Sequence, residues 1–233
     1  MKSNIFLAAV LSCLLVGCSG RSVESPPMDY SHKALTDFMR DFYALNKNEY
    51  RGEIKLTVVH GRLVEFSVRG YHNLVMPNSI NNISSLESVS IIECSELQLD
   101  SLASKYIKDF YVYKCGLKII PFCVFRRMPQ LERIGLRGNG FKGELLLDNL
   151  PEKVEIIDVS FNEIDRIKIR GKKSSKLRLI DATGTNLVQL DSSLCMGSSE
   201  MIIYMYDLDS IRKRSIIEQK NQPYFKGKVD VVF

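Results

Sequence analysis

LERIGLRGNGF (residues 131–141) and VEIIDVSFNEI (residues 154–164) are two copies of one pattern, and this pattern decides the fold. It has the form L-x-x-L-x-L-x-x-(N/C/T)-x-L and begins at seven places in the chain. The starts are Leu63, Leu86, Ile107, Leu131, Val154, Leu177 and Met201, at intervals of 23, 21, 24, 23, 23 and 24 residues. Self-similarity at one short period predicts a stack of equivalent units, a solenoid, before any local propensity is weighed.

Each fixed position of the unit has a physical reason. Positions four and six alternate along a short strand and are expected to face the core, and strands of successive units pair in parallel at ~4.8 Å. These core positions run from Phe66/Val68 in the first unit to Tyr204/Tyr206 in the last. Position nine turns the chain out of the strand and favours a side chain that bonds buried backbone. It is filled by Cys94, Cys115, Asn139, Asn162 and Thr185.

Seven copies in register resemble the leucine-rich repeat family over residues 63–211. The resemblance implies an α/β repeat solenoid, a right-handed superhelix shaped as a short horseshoe. Its parallel sheet would line the concave side, and few long helices are expected on the convex side. The family's usual role is protein–protein recognition, so the resemblance implies a binding surface and no catalytic pocket.

A solenoid needs a cap at each end, because an open end exposes apolar core. Residues 31–62 are expected to form the N-terminal cap, with an amphipathic helix and then a strand that turns back at His60-Gly61. The seven repeats follow in residues 63–211. Residues 212–233 are expected to form the C-terminal cap, with a helix over 211–218 and a closing strand over 229–233.

The N-terminus carries a separate signal. An apolar run over residues 5–16 is too short for a membrane span, which needs about 20 residues, and is typical of a secretory signal. It ends in Leu15-Val16-Gly17-Cys18-Ser19, which resembles the lipobox of bacterial lipoproteins. The resemblance implies a signal peptide at 1–17, lipidation of Cys18, a tether at 18–30 and, from Ser19, an outer-membrane location. The alternative is an ordinary cleaved signal with an incidental cysteine.

Charge and cysteine content narrow the function further. A net charge of +5 is not the footprint of a nucleic-acid-binding protein. Cys94 and Cys115 occupy the buried ninth position, and Cys123 and Cys195 are about three repeats apart, so we expect no disulfide. A Cys94–Cys115 link between neighbouring units is the main exception.

Positions three, five and seven point away from the core, so any selection for binding would act on them. Tyr and Arg are the side chains that most often dominate binding energy, and several fall on two adjacent units. The predicted ligand-binding cluster is Asp109, Tyr111, Tyr113, Arg133 and Arg137. The alternative is that these side chains only stack on one another as a solvated cross-strand patch.

Two other groups of residues are predicted on the same face, a pair of aspartates and an apolar strip. Asp158 and Asp181 occupy equivalent places on neighbouring units and are added to the predicted ligand-binding residues. They could also pair to hold a cation or share a proton, but no His or Cys is in register beside them, so we expect no metal, no cofactor and no catalysis. An apolar strip is also expected on the face, either exposed as an interface or covered by residues 223–233. Its members are Ile156, Leu179, Ile203 and Met205.

Taken together, the sequence predicts a non-catalytic, monomeric cell-envelope lipoprotein. It would be anchored to the membrane by its N-terminal lipid and would bind a protein or another macromolecule on its concave sheet. The alternative is an architectural or self-associating envelope component that uses the C-terminal apolar strip. A third possibility, a secreted eukaryotic repeat protein, fails if Cys18 carries lipid.

Overall fold

The computed structural model describes residues 30–47, 52–119, 121–171, 176–195 and 200–233. These residues form a solenoid whose main layer is a nine-stranded sheet, in the order β1-β2-β3-β4-β5-β7-β9-β11-β12. All of its strand pairs are parallel except the first, β1–β2. The strands are β1 Glu53–Val59, β2 Arg62–Arg69, β3 Ser88–Ile92, β4 Asp109–Tyr113, β5 Arg133–Gly135, β7 Ile156–Asp158, β9 Leu179–Asp181, β11 Met201–Tyr204 and β12 Val229–Val232. The predicted signal peptide, Cys18 and the rest of the predicted tether before Tyr30 lie outside the described residues.

The register of this sheet follows the repeat through its first six units. In this sheet, the strands β2, β3, β4, β5, β7 and β9 pair the third and fifth repeat positions of one unit with those of the next. Positions four and six are buried in all six units, as Phe110 and Val112 illustrate on β4. The solenoid prediction is therefore confirmed, and the predicted repeat starts from Leu63 to Leu177 agree with the register of the strands.

The N-terminal end is closed by a helix and a hairpin. Helix α1 (Tyr30–Leu45) places Phe38 and Phe42 against Phe66 of β2, with ring centroids 4.9 and 5.4 Å apart. Strands β1 and β2 are joined by His60 and Gly61, both with positive φ of 49° and 76°. Two consecutive positive φ values are typical of a type I′ turn, whose twist matches that of a hairpin.

Position nine forms a hydrogen-bonded ladder through the interior. The backbone N–H of Tyr71 donates to Cys94 Sγ, and that of Cys94 donates to Cys115 Sγ, both at 3.4 Å. The N–H of Cys115 donates to Asn139 Oδ1 and that of Asn139 to Asn162 Oδ1, both at 2.9 Å. The ladder joins five successive units and satisfies buried backbone donors that the strands leave unpaired. Cys94 and Cys115 remain free thiols in it.

The segments that return the chain from one strand of the nine-stranded sheet to the next differ in structure. Three of them form a second sheet, in the order β10-β8-β6, with strands β6 Lys142–Asp148, β8 Glu163–Arg170 and β10 Gln189–Leu190. Its buried side chains, such as Leu145, Leu147 and Ile167, belong to the same hydrophobic core as the long sheet. The remaining returns that the structure describes include 3₁₀-helices at Asn78–Asn82 and Ser192–Cys195 and the short helix α2 (Phe122–Phe125). No long helix lies in these described returns.

The C-terminal end consists of helix α3 (Ser210–Lys220) and the edge strand β12. Asp209 begins the helix as its N-cap, because its side chain accepts a hydrogen bond from the N–H of Arg212 at 2.8 Å. Lys228 O and Val232 O accept hydrogen bonds from the N–H groups of Met201 and Met205. Because N–H groups alternate in direction along a strand, those of Val229 and Val231 point away from β11. The outward N–H of Val229 donates to Phe225 O, and that of Val231 donates to the Asp230 carboxylate. Two donors that could pair with another strand are thus already used.

Candidate binding surface on the long sheet

The solvent side of the nine-stranded sheet is open and carries positions three, five and seven of each repeat. We call it the sheet face. On β4 it presents Asp109, Tyr111 and Tyr113, while the intervening Phe110 and Val112 are fully buried. Strand pleating alone accounts for this alternation, so the residue types on the face are free of packing constraints from the core.

An ion pair joins β4 to β5 on this face. Asp109 and Arg133 are register partners, and the guanidinium contacts both carboxylate oxygens, with Nε to Oδ1 at 2.6 Å and Nη2 to Oδ2 at 2.5 Å. The hydrogen bond to Asp109 raises the pKa of Arg133 above its usual value. Arg133 keeps 47% of its side chain exposed while Asp109 keeps 13%. The pair therefore fixes an accessible guanidinium in one orientation.

The two tyrosines of β4 lie across a glycine on the neighbouring strand. Their ring centroids are 5.5 Å apart, and the rings lean over Gly135 of β5. A Cβ at Gly135 would lie 2.6 Å from Tyr113 Oη and would also clash with the Tyr111 ring. Burial raises the pKa of Tyr113, with the Asp158 charge adding to the effect, and burial likewise raises the pKa of Tyr111. The absent side chain at Gly135 is what allows both rings to lie over this residue.

A second aromatic contact continues the surface beyond the strands. The Arg137 guanidinium lies over the Phe161 ring at 4.2 Å, a cation–π contact. Phe161 has a positive φ of 54° and is 48% exposed. Its ring in turn lies over Gly184, where a Cβ would meet Phe161 Cδ1 at 3.0 Å. Rings lying over glycines on the next unit thus occur twice on this side of the solenoid.

Asp158 and Asp181 are register partners on β7 and β9, as the repeat predicted. Each carboxylate already accepts hydrogen bonds from its own chain. Asp158 Oδ1 accepts from the N–H and hydroxyl of Ser160 at 2.9 and 2.6 Å, and Asp181 Oδ1 accepts from the N–H of Thr183 at 2.9 Å. In the part of the chain that the structure describes, no group of three His, Cys, Asp or Glu is placed to hold a metal ion. The pair offers its remaining oxygens as acceptors for donor groups of a ligand.

The structure thus brings the predicted cluster together in two parts. Asp109, Tyr111, Tyr113 and Arg133 contact one another or share Gly135, whereas Arg137 turns to Phe161. Phe161 and the two glycines are not among the ligand-binding residues predicted from the sequence. One signal was available: Gly135 is the one glycine at positions three, five or seven of the seven predicted units.

The prediction for the last repeat was wrong by one residue. Ile202, and not Ile203, pairs with Leu179, so this unit begins at Glu200. Ile203 and Met205 are fully buried in the core, whereas Tyr204 and Tyr206 lie on the sheet face with stacked rings 5.9 Å apart. Position nine of this unit is then the buried Leu208. The run Met201-Ile202-Ile203 is apolar at every position, so alternation did not distinguish the two registers.

This correction reduces the apolar strip to Ile156, Leu179 and Ile202. Ile202 is 37% exposed, and the other two are half-buried. The prediction that residues 223–233 cover the apolar strip was also wrong for β12, because this strand pairs with β11 at the end of the sheet. The strip is therefore narrower than expected and is continuous with the tyrosines of β11.

No protein-family model and no curated protein matches the chain. The class that its fold defines is a parallel-sheet β-solenoid with few helices. Among the described residues, no helix is both long and apolar enough to cross a membrane.

Proposed function

We propose that the sheet face is a recognition surface for a protein or another macromolecule, and that the chain has no catalytic activity. The observation that carries the proposal is the immobilised aromatic and arginine cluster. Tyr111 and Tyr113 are fixed over Gly135, and Arg133 is fixed by Asp109. Side chains that are already ordered lose less conformational entropy on binding, and Tyr and Arg contribute most to typical binding energies.

Two further proposals concern the fold family of the solenoid and the location of the protein in the cell. We propose that the solenoid is a leucine-rich repeat domain whose sheet face is concave, because the asparagine ladder and the repeat period fit that family. We also propose lipidation at Cys18 and attachment to a bacterial outer membrane, which rest on the lipobox resemblance. Incorporation of labelled palmitate into the wild type, and its loss in a Cys18→Ser variant, tests the anchor. Labelling of both chains would contradict it.

An affinity capture from native envelope extract tests the recognition surface. The bait begins at Ser19, and every buried hydrophobic side chain that the structure describes lies between Leu35 and Val231, so the core is retained. The test variant is Tyr113→Ala/Arg137→Glu. Arg133 is left intact, because a reversed charge there would repel Asp109 and confuse binding with folding.

The matched control is Tyr43→Ala/Lys118→Glu, which also removes one tyrosine ring and makes the same change in net charge, on exposed residues away from the sheet face. A ligand of the sheet face should bind the control like the wild type and the test variant at least about tenfold more weakly. A cooperative melting transition in each of the three chains would verify that all of them are folded. Equal binding to the test variant and the control would contradict the proposed site.

The alternative from the sequence, self-association through the apolar strip, is less favoured by the corrected register. Two of its four proposed members, Ile203 and Met205, lie in the core and are unavailable to a partner. The used N–H groups of Val229 and Val231 also disfavour growth of the sheet by strand pairing. Gel filtration over a range of concentrations distinguishes the two functions, because the proposed one predicts a monomer throughout.

A further inference from the structure

The positive charge of the chain is concentrated at its C-terminal end. Residues 212–233 carry six basic side chains against the acidic Glu218 and Asp230, a local net charge of +4 in a chain whose total is +5. The six are Arg212, Lys213, Arg214, Lys220, Lys226 and Lys228. The rest of the chain, more than 200 residues, is therefore almost neutral.

Half of these basic groups are already engaged. Arg212 contacts Asp209 at 3.3 Å, Lys213 lies over the Phe233 ring and Lys220 pairs with Asp230. Arg214, Lys226 and Lys228 are exposed and form no ion pair with any residue that the structure describes. These three cations are available to an external anion.

Exposed apolar side chains occur in the same C-terminal segment as the three cations. On helix α3, Ile216 faces the core, but Ile211 and Ile217 are 81% and 44% exposed. They are three residues before and after Arg214, so all three share one side of the helix. Tyr224, in the turn after the helix, is 53% exposed. We call Ile211, Arg214, Ile217, Tyr224, Lys226 and Lys228 the cap surface.

We propose that the cap surface docks on the headgroup region of a bilayer that contains anionic phospholipids. Lys and Arg near such a surface are attracted by its negative potential, Tyr prefers the headgroup level, and aliphatic side chains gain free energy at the acyl boundary. A soluble polyanion would satisfy the cations but would leave Ile211 and Ile217 in water. The two exposed isoleucines therefore favour a membrane over a nucleic acid or an acidic polysaccharide.

This docking leaves the proposed recognition surface accessible. In the sheet order, β4 is five strands from β12, which corresponds to about 24 Å at the usual strand spacing. The inference does not depend on the recognition function or on lipidation at Cys18. It is tested on the unlipidated chain that begins at Ser19.

A single tryptophan reports directly on insertion, because the chain contains none. A Tyr224→Trp variant should shift its emission to shorter wavelength with vesicles of phosphatidylcholine containing about one-third phosphatidylglycerol, and brominated acyl chains should quench it. Pure phosphatidylcholine should give a weaker response. The matched control is Tyr43→Trp on α1, a site of similar exposure at the other end, which should not respond. No shift from the Tyr224→Trp variant, or equal shifts from both, would overturn the proposal.

Two further variants, made in the Tyr224→Trp background, separate charge from insertion. Lys226→Glu/Lys228→Glu should weaken vesicle binding about thirtyfold or more, whereas Lys55→Glu/Lys118→Glu, with the same change in net charge, should have little effect. Ile211→Ser/Ile217→Ser should weaken binding about tenfold without any change in charge. If the serine variant binds vesicles as well as its parent, the contact is electrostatic only, and docking at the acyl boundary is wrong. All of these side chains are exposed, and unchanged melting curves would verify folding.

Discussion

The buried ladder at position nine and the exposed sheet face belong to the same repeats, but their side chains are held by different partners. On the ladder, Cys115 and Asn139 bond the backbone of neighbouring units, which every unit supplies in the same place. On the sheet face, Tyr113 and Arg137 are held by particular neighbours, Gly135 and Phe161. The ladder therefore stabilises the fold through a contact that recurs from unit to unit. The sheet face instead owes its particular shape and chemistry to contacts that occur once or twice.

The largest effect should come from the last asparagine of the ladder. Asn162 accepts hydrogen bonds from the N–H groups of residues 139, 140 and 141 and donates to three backbone oxygens. Asn162→Ala leaves these groups buried without that partner, so we expect a loss of about 4 kcal/mol in the free energy of unfolding. Thr185→Val removes a hydrogen bond to Ala182 O and a long one, at 3.4 Å, from the N–H of Leu187, and should cost about 1–2 kcal/mol. Urea unfolding measures both, and similar losses would contradict the dominant role of Asn162.

The corrected register of the last repeat predicts the next effect. Met205 is fully buried and Tyr206 is 45% exposed, whereas the sequence placed them the other way round. Met205→Ala should lower the free energy of unfolding by about 3 kcal/mol through lost burial and a cavity. Tyr206→Ala should lower it by less than about 1 kcal/mol. The opposite order in urea unfolding would restore the register expected from the sequence.

The parts of the fold that rest on recurring contacts could be predicted from the sequence, whereas the other parts could not. The repeat period predicts the long sheet, its register through residue 181 and the role of Asn139 and Asn162, because each rests on a contact that recurs. It fails at residues 201–205, where consecutive apolar residues fit either strand face. It also misses the second sheet, because the returning segments share no common pattern.

The binding cluster could likewise be predicted from the sequence only in part. Alternation places Tyr111, Tyr113, Arg133 and Asp109 on the face, and strand register makes the Asp109–Arg133 pair predictable. The inclination of two rings over Gly135 depends on space in a neighbouring unit, and no periodicity encodes that space. Phe161 escaped prediction for a similar reason, since its position depends on a positive φ and on Gly184.

A smaller effect should come from filling the space over β5. Gly135→Ala forces both tyrosine rings to move, because the new Cβ would lie 2.6 Å from Tyr113 Oη. We expect a loss of about 1–2 kcal/mol in the free energy of unfolding and weaker binding of any sheet-face ligand. Ser67→Ala, at the same repeat position on β2, should change neither by more than about 0.5 kcal/mol. A Gly135→Ala variant with unchanged stability and binding would show that the ring positions are not functionally fixed.

The smallest effect concerns alkaline pH. Burial raises the pKa of Tyr113, so its folded state holds the phenolic proton more tightly than the unfolded chain does. The resulting stability is fully present below the unfolded tyrosine value near ~10, and it is lost as the pH rises from there towards the folded pKa. Tyr113→Phe should therefore reduce the fall in the free energy of unfolding between about pH 9.5 and 11. Equal slopes in the wild type and the Tyr113→Phe variant would mean that the Tyr113 phenol is as well solvated on the sheet face as in the unfolded chain, and the packed cluster over Gly135 would be wrong.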